Sequence, residues 1–510
     1  MPETLRRLLE AGKADDPAIG APGRTPLTRD GLRRHVAETV AALNARGIGR
    51  NDRVAIVLPN GPEMASAFLA IGCGATTAPL NPDYRAEEYE FYLSDLDAKA
   101  LVVRQGSDSP AVAVARKLKV PVMELEWRED DPAGVFRFAT PADKGAAVDS
   151  GLAGGDDIAL VLHTSGTTSR PKIVPLSHVN VTTSARNVAK TLALTAEDRC
   201  LNIMPLFHIH GLIAAVSASM AGGASVWCAP GFNALRFFSW LDEVAPTWYT
   251  AVPTMHQTIL ARAPRNTDSV AKAKLRLIRS SSASLPPQVM KALEETFGCP
   301  VIESYGMTEA AHQMASNPLP PAERRPGSVG IAAGPEVAIM DGKGKLLPPG
   351  ETGEVAIRGR NVTKGYESNP KANAEAFTGG WFRTGDQGVM DEAGYLRITG
   401  RIKEIINRGG EKVSPLEVDE AVMDHPAVAQ VATFAMPHDK LGEEVACAVV
   451  LRDGEKASEQ EIRDFVAKRL ADFKVPRKVV ILDEIPKGAT GKLQRIGLAD
   501  KLGLGAAAAQ

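Results

Sequence analysis

Residues 158–172 read Ile-Ala-Leu-Val-Leu-His-Thr-Ser-Gly-Thr-Thr-Ser-Arg-Pro-Lys. The apolar run that opens the stretch has the length and composition of a strand. Residues 164–172 then crowd hydroxyls, a glycine and two cations into a short loop. A strand ending in such a loop suits a polyphosphate: N–H groups and hydroxyls converge on its oxygens, and the cations offset its charge. The Gly-x4-Gly-Lys-Ser/Thr spacing of a Walker loop is absent. On composition alone the same stretch also serves as a polar surface turn.

Outward from this loop the chain alternates short β-rich runs with helical ones. Arg53-Val-Ala-Ile-Val-Leu58 predicts a strand, residues 62–73 a helix and Ala98-Lys-Ala-Leu-Val-Val103 another strand. That order implies an α/β fold of layered, largely parallel sheets. Between about residues 327 and 398 short strands separated by Gly/Pro turns predict a small β subdomain, as in Gly353-Glu-Val-Ala-Ile-Arg358. From Glu404 the pattern is α+β, with a helix over 415–424, a strand over 428–435 and a helix over 459–470.

With 510 residues, two or three domains are expected. A hydrophobic content of 44% with 24% charged residues is that of a soluble globular protein, and a net charge of −2 suggests neither a nucleic-acid nor a membrane partner. Cys73, Cys200, Cys228, Cys299 and Cys447 lie far apart without metal-ligand spacing, and read as reduced, mostly buried small hydrophobes of a cytoplasmic protein. No apolar h-region follows the charged N-terminus. The most apolar segment, residues 212–229, is rich in Gly, Ala and Ser and reads as a buried helix running into a strand rather than a membrane span. The C-terminus carries no peroxisomal tripeptide.

Tyr305-Gly-Met-Thr-Glu309, Trp381-Phe-Arg-Thr-Gly-Asp386, Gly400-Arg-Ile-Lys-Glu404 and Pro486-Lys-Gly-Ala-Thr-Gly-Lys492 follow the first loop in fixed order. With these motifs the chain resembles, over nearly its whole length, the adenylate-forming superfamily of acyl-CoA synthetases, luciferases and peptide-synthetase adenylation domains. The resemblance implies a large N-terminal domain at residues 1–399 that binds ATP and the acid and includes the β subdomain. It also implies a hinge at 400–404, with Lys403 the hinge residue, and a small mobile α+β lid at 405–510.

It further implies roles. A carboxylate becomes open to a thiol once joined to AMP, so the site must neutralise the triphosphate and align the acid with the α-phosphorus. Thr164, Ser165, Gly166, Thr167, Thr168 and Lys172 suit the β and γ phosphates, Glu309 a Mg2+ ion, and Thr308 and Thr164 the α-phosphate or metal-bound water. Asp386 would accept both ribose hydroxyls, with Arg401 beside it. Ser282, Ala283, Ser284 and Tyr305 would form the adenine slot. Lys492 would bridge carboxylate and α-phosphate, and Gly410, beside Gly409, would flank the CoA pantetheine after the lid turns. Lys492 is also a candidate target of a protein lysine acetyltransferase, which would remove its charge. Against the superfamily pattern, Ser169 and Ile173 stand where glycine is usual. The β-branched Ile173 requires ordinary backbone angles there.

Met204-Pro-Leu-Phe-His-Ile-His-Gly211 places His208 and His210 where the acyl group is expected. The run at 275–284 adds Arg279 and Ser280, and Glu309-Ala-Ala-His312 adds a third histidine. A second carboxylate needs such partners to be buried, whereas a fatty chain does not. The stretches at 248–256, 278–284, 312–320 and 406–412 look like those of oxalate–CoA ligases. Ser280, His208 and His312 are therefore expected at the distal carboxylate. Malonate or another short acid is the nearest alternative, since a methylene is worth only about 1–3 kcal/mol in a pocket. A carrier-protein adenylation module and a non-catalytic nucleotide-binding protein are alternatives of other classes.

Overall fold

The strand predicted at the opening stretch forms as Ile158–His163 and pairs antiparallel with Ile173–Ser177, so the two form a hairpin at a sheet edge. The computed structural model describes residues 3–139, 145–164, 171–486 and 493–505. The hairpin belongs to a seven-stranded sheet that continues through Thr76–Pro79, Arg53–Val57, Ala100–Arg104, Val122–Glu126 and Arg137–Phe138. Its interior strands are parallel and both edges antiparallel.

A second, nine-stranded sheet has a parallel centre of Val301–Met307, Leu277–Ser280, Trp248–Ala251, Arg199–Asn202, Ser225–Cys228 and Pro17–Ala21. His312–Ser316 turns back antiparallel on Val301–Met307. The two sheets share one hydrophobic core with the helices between them. Pro62–Gly72 is buried along its whole length and apolar apart from Ser66 and Glu63, whose carboxylate is met by Arg24 at 2.6 Å. His178–Thr191 starts at Ser177, whose hydroxyl and backbone exchange bonds with Asn180 in a capping box.

The apolar segment at 212–229 is a buried helix running into a strand, as expected. Its first part is a π-helix, His210–Ser217, followed by Ala218–Gly222 and Ser225–Cys228. Among the described residues no helix is long and apolar enough to cross a membrane. All five cysteines are buried and free.

The β subdomain forms around Trp381–Met390, flanked by Thr352–Arg358 and Leu396–Arg401, with Glu336–Met340 and Phe377–Thr378 outside. Its limits differ from the predicted 327–398. Ile331–Ala332 instead completes the nine-stranded sheet by pairing with His312–Ser316. Gly330 makes this docking possible, because a Cβ there would lie 2.0 Å from the Ser316 carbonyl carbon. At the other end the strand continues to Arg401, which pairs with Asp386.

Beyond it, Ile406–Arg408, Glu411–Val413, Val428–His438, Gly442–Leu451 and Lys478–Ile481 build a separate sheet. Pro415–Met423 and Glu459–Ala467 pack on it with their own core. Arg495 donates to the Thr433 carbonyl at 2.8 Å and to Asp419, and lies 3.7 Å from Glu404. The chain after residue 492 is thereby tied back to the turn that follows Arg401.

Candidate active site

The hairpin end brings Thr164 and Lys172 together. The Thr164 N–H donates to the Lys172 carbonyl at 2.9 Å, and the Lys172 N–H donates to Thr164 Oγ1 at 3.1 Å. Ile173 sits in the strand without positive φ, as its side chain requires. Ser165, Gly166, Thr167, Thr168 and Ser169 lie outside the described residues, as does Lys492.

Lys172 Nζ stands 4.5 Å from the centroid of the Tyr366 ring, whose hydroxyl donates to Glu309 Oε1 at 2.8 Å. Glu309 is buried in the short turn Thr308–Ala310 that follows Val301–Met307. Burial pushes its carboxyl above the ordinary range, opposed by the Tyr366 hydroxyl and by the Arg401 and Lys172 charges. Among the described residues no group of three or more His, Cys, Asp or Glu forms a metal cage. One buried carboxylate nevertheless fits a Mg2+ ion that arrives with phosphate ligands.

The second cluster follows from strand register. Asp386 and Arg401 are paired across neighbouring strands, and Arg401 Nε lies 3.2 Å from Asp386 Oδ1. The Tyr305 hydroxyl donates to Asp386 Oδ2. Burial, then the Asp386 charge, holds the Tyr305 hydroxyl well above its ordinary range, while Asp386 raises Arg401. The Arg401 side chain is 56% exposed and Asp386 only 8%, so the carboxylate is held from below and the cation borders solvent.

The acid side centres on Arg279, which is fully buried in the strand Leu277–Ser280. Its NH2 donates to His312 Nε2 at 3.1 Å and lies 3.4 Å from Gln313 Oε1. Its NH1 lies 3.4 Å from His210 Nε2 and 3.5 Å from Thr250 Oγ1. Among the described residues no carboxylate pairs with it, and its Nε has no hydrogen-bond partner. Burial pushes the guanidinium down to about 9.

The His210 and His312 rings stack at 5.1 Å, and His210 Nδ1 lies 3.1 Å from Ser282 Oγ. His312 adopts φ 104° after Ala311 at φ 47°. Such angles cost a non-glycine residue about 1–3 kcal/mol and gather at functional sites. Gly306 admits this turn, since a Cβ there would meet the His312 carbonyl oxygen at 2.0 Å. The His210 N–H donates to His208 Nδ1 at 3.2 Å, which holds the third imidazole beside the pair.

The structure thus gathers His208, His210, His312, Arg279 and Ser282, but not Ser280. Ser280 pairs with Glu303 and Arg279 with Ile302, so Ser280 falls on the opposite face of the sheet from Arg279. Its Oγ is buried without a hydrogen-bond partner among the described residues. Ser282, whose backbone is expected beside adenine, holds its hydroxyl 3.1 Å from His210 Nδ1, and its φ of 75° turns the chain there. Ala283 and Ser284 are exposed just beyond, and Thr308 is half-buried beside Glu309. Gly409 and Gly410, at φ 59° and 100°, form the exposed turn between Ile406–Arg408 and Glu411–Val413. Tyr366 escaped the reading of the sequence, because it lies in none of the five motifs and reaches Glu309 only through the fold.

Two family models match the chain: AMP-binding enzyme over residues 9–367, and AMP-binding enzyme C-terminal domain over 417–492. The chain is 46% identical to an oxalate–CoA ligase of Arabidopsis thaliana, covering 97% of each. It is 42% identical to an oxalate–CoA ligase of Saccharomyces cerevisiae, covering 88% of this chain and 87% of the relative. Among solved structures it resembles ATP-bound MatB from Rhodopseudomonas palustris with a TM-score of 0.88 at 31% identity, over 98% of this chain and 99% of the other.

Proposed function

Because the chain belongs to the AMP-binding enzyme family, we propose that it is an acid–thiol ligase converting oxalate, ATP and CoA into oxalyl-CoA, AMP and pyrophosphate. In the first step an oxalate oxygen attacks the α-phosphorus and the bond to pyrophosphate breaks, leaving oxalyl-AMP. In the second, the CoA sulfur, having lost its proton, attacks the oxalyl carbonyl and the bond to AMP breaks.

Thr164 and Lys172, with the loop between them, hold the β and γ phosphates. Asp386 accepts the ribose hydroxyls while Arg401 borders the phosphates, and Tyr305 with residues 282–284 lines the base. Glu309 would hold Mg2+, whose charge would offset that of the phosphates. Lys492 steadies the charge that develops at the α-phosphorus. Residues 405–510 then turn about Lys403 and bring Gly410 toward the pantetheine. Acetylation of Lys492 by a protein acetyltransferase would abolish the first step, and an unchanged adenylation rate in acetylated protein would refute that regulation.

The observation that carries the choice of acid is Arg279, a buried cation whose described partners are imidazoles, an amide and a hydroxyl, with no carboxylate among them. Its field supports a second carboxylate beside His208, His210 and His312, and gives an alkyl tail nothing in return for burial. The 46% and 42% identities to oxalate–CoA ligases support the same reading. The test is pyrophosphate release with ATP, Mg2+ and CoA against oxalate, malonate, succinate, acetate, octanoate and coumarate. A response confined to oxalate is expected. A stronger response to malonate or a monoacid would replace the substrate and keep the chemistry.

A further inference from the structure

We propose that Arg279 is a positioning residue: it sets the tautomers of His210 and His312, and through them turns the acid side of the site into an array of hydrogen-bond donors. This inference rests on the reading above for its bearing on the substrate, but not for its geometry. A guanidinium has donors only. His312 Nε2, 3.1 Å from Arg279 NH2, must therefore accept, which leaves the ring proton on Nδ1.

The same rule carries through Thr250. Arg279 NH1 lies 3.4 Å from His210 Nε2 and can only donate, so that nitrogen accepts, and the Thr250 hydroxyl, 2.6 Å from the same nitrogen, gives its hydrogen to the imidazole. His210 then holds its proton on Nδ1, 3.1 Å from Ser282 Oγ, and donates it there. With its oxygen so engaged, the half-buried Ser282 hydroxyl is itself oriented as a donor. A parallel step fixes His208, whose Nδ1 accepts the His210 backbone N–H and leaves its proton on Nε2.

Each imidazole in the group is in this way a donor without a positive charge of its own. The Arg279 cation sits behind them, out of reach of solvent. The strained backbone of His312 and the stacking of its ring on His210 hold the pair against the guanidinium. Such a chain of bonds polarises each member in the same sense, and an acid rich in acceptors gains most from it.

The test uses the full-length protein with 15N-labelled histidine, compared with Arg279→Met and Thr250→Val. In the unaltered protein the Nε2 atoms of His210 and His312 should resonate as unprotonated acceptors. Arg279→Met should move the proton of His312 toward Nε2, whereas Thr250→Val should disturb His210 and spare His312. The KM for oxalate in Arg279→Met should rise about 10- to 100-fold, as expected for losing bonds to a charged group, with the KM for ATP unchanged. Protonated Nε2 atoms in the unaltered protein, or tautomers indifferent to both substitutions, would overturn the proposal. Should Arg279→Met fail to fold, the unaltered and Thr250→Val spectra decide. Failure of oxalate in the substrate panel would remove the proposed substrate and leave the tautomers as a separate result.

Discussion

Two buried polar regions flank the end of the strand Val301–Met307, and they treat charge in opposite ways. Beside it, Asp386 has Arg401 at 3.2 Å and the Tyr305 hydroxyl, so each charge meets its complement within the protein. On the neighbouring strand Arg279 is deeper still, and among the described residues it meets imidazoles, an amide and a hydroxyl but no carboxylate. A carboxylate does exist one strand away. Glu303, however, is paired with Ser280 rather than Arg279, a one-residue offset that sends it to the other face of the sheet. An internally paired cluster fixes geometry for a neutral part of a ligand, such as a sugar edge. An unpaired cation creates a field that only an anion answers.

The largest expected effect concerns Lys492, proposed to steady the charge at the α-phosphorus. Lys492→Ala should lower the adenylation rate by roughly 100- to 1000-fold. Thioester formation from supplied acyl-adenylate should stay near its original rate, and a parallel loss of both steps would break the assignment. Next comes a crossed pair of substitutions. Asp386→Asn should raise the KM for ATP about tenfold and leave the order of preferred acids intact, while His312→Ala should do the reverse. If either variant moved both constants equally, the two regions would form one site rather than two.

The smallest effect concerns Glu303, whose carboxyl is pushed up to about 8 by burial, eased by the Leu285 N–H and raised again by Glu420. The unfolded chain ionises this group near the usual carboxylate value, the folded chain only near 8. The folded state therefore binds the extra proton between those values, and stability falls as pH rises through the window. Glu303→Gln should remove roughly 1–3 kcal/mol of that decline between about pH 5 and 8, read as a flatter dependence of melting temperature on pH. An unchanged slope would mean that Glu303 is ionised in place.

Much of this arrangement was legible before any coordinates. The apolar run at 158–162, the helix at 62–73 and the alternating units around them follow local pattern, and each forms within two residues of its predicted bounds. Asp386, Arg401, Tyr305 and Glu309 stand in motifs whose order identified the family. What local pattern does not carry is register. Ser280 and Arg279 are adjacent in sequence and only the pairing of strands shows that they serve opposite faces. Tyr366 is likewise brought to Glu309 from 57 residues away by the β subdomain. The π-helix at His210–Ser217 was hidden for another reason, since an all-apolar segment has no period to betray a wider turn.

The cysteines acquire a meaning from the proposed chemistry. A protein that makes a mixed anhydride for a thiol to attack is exposed to attack by its own thiols, which would leave it acylated and the intermediate wasted. All five cysteines are buried, and burial pushes Cys73 and Cys299 up to about 12 and the other three higher still. A thiol so held presents almost no thiolate near neutral pH. The chain is thus insulated from self-acylation, and the sulfur of CoA is left without an internal competitor.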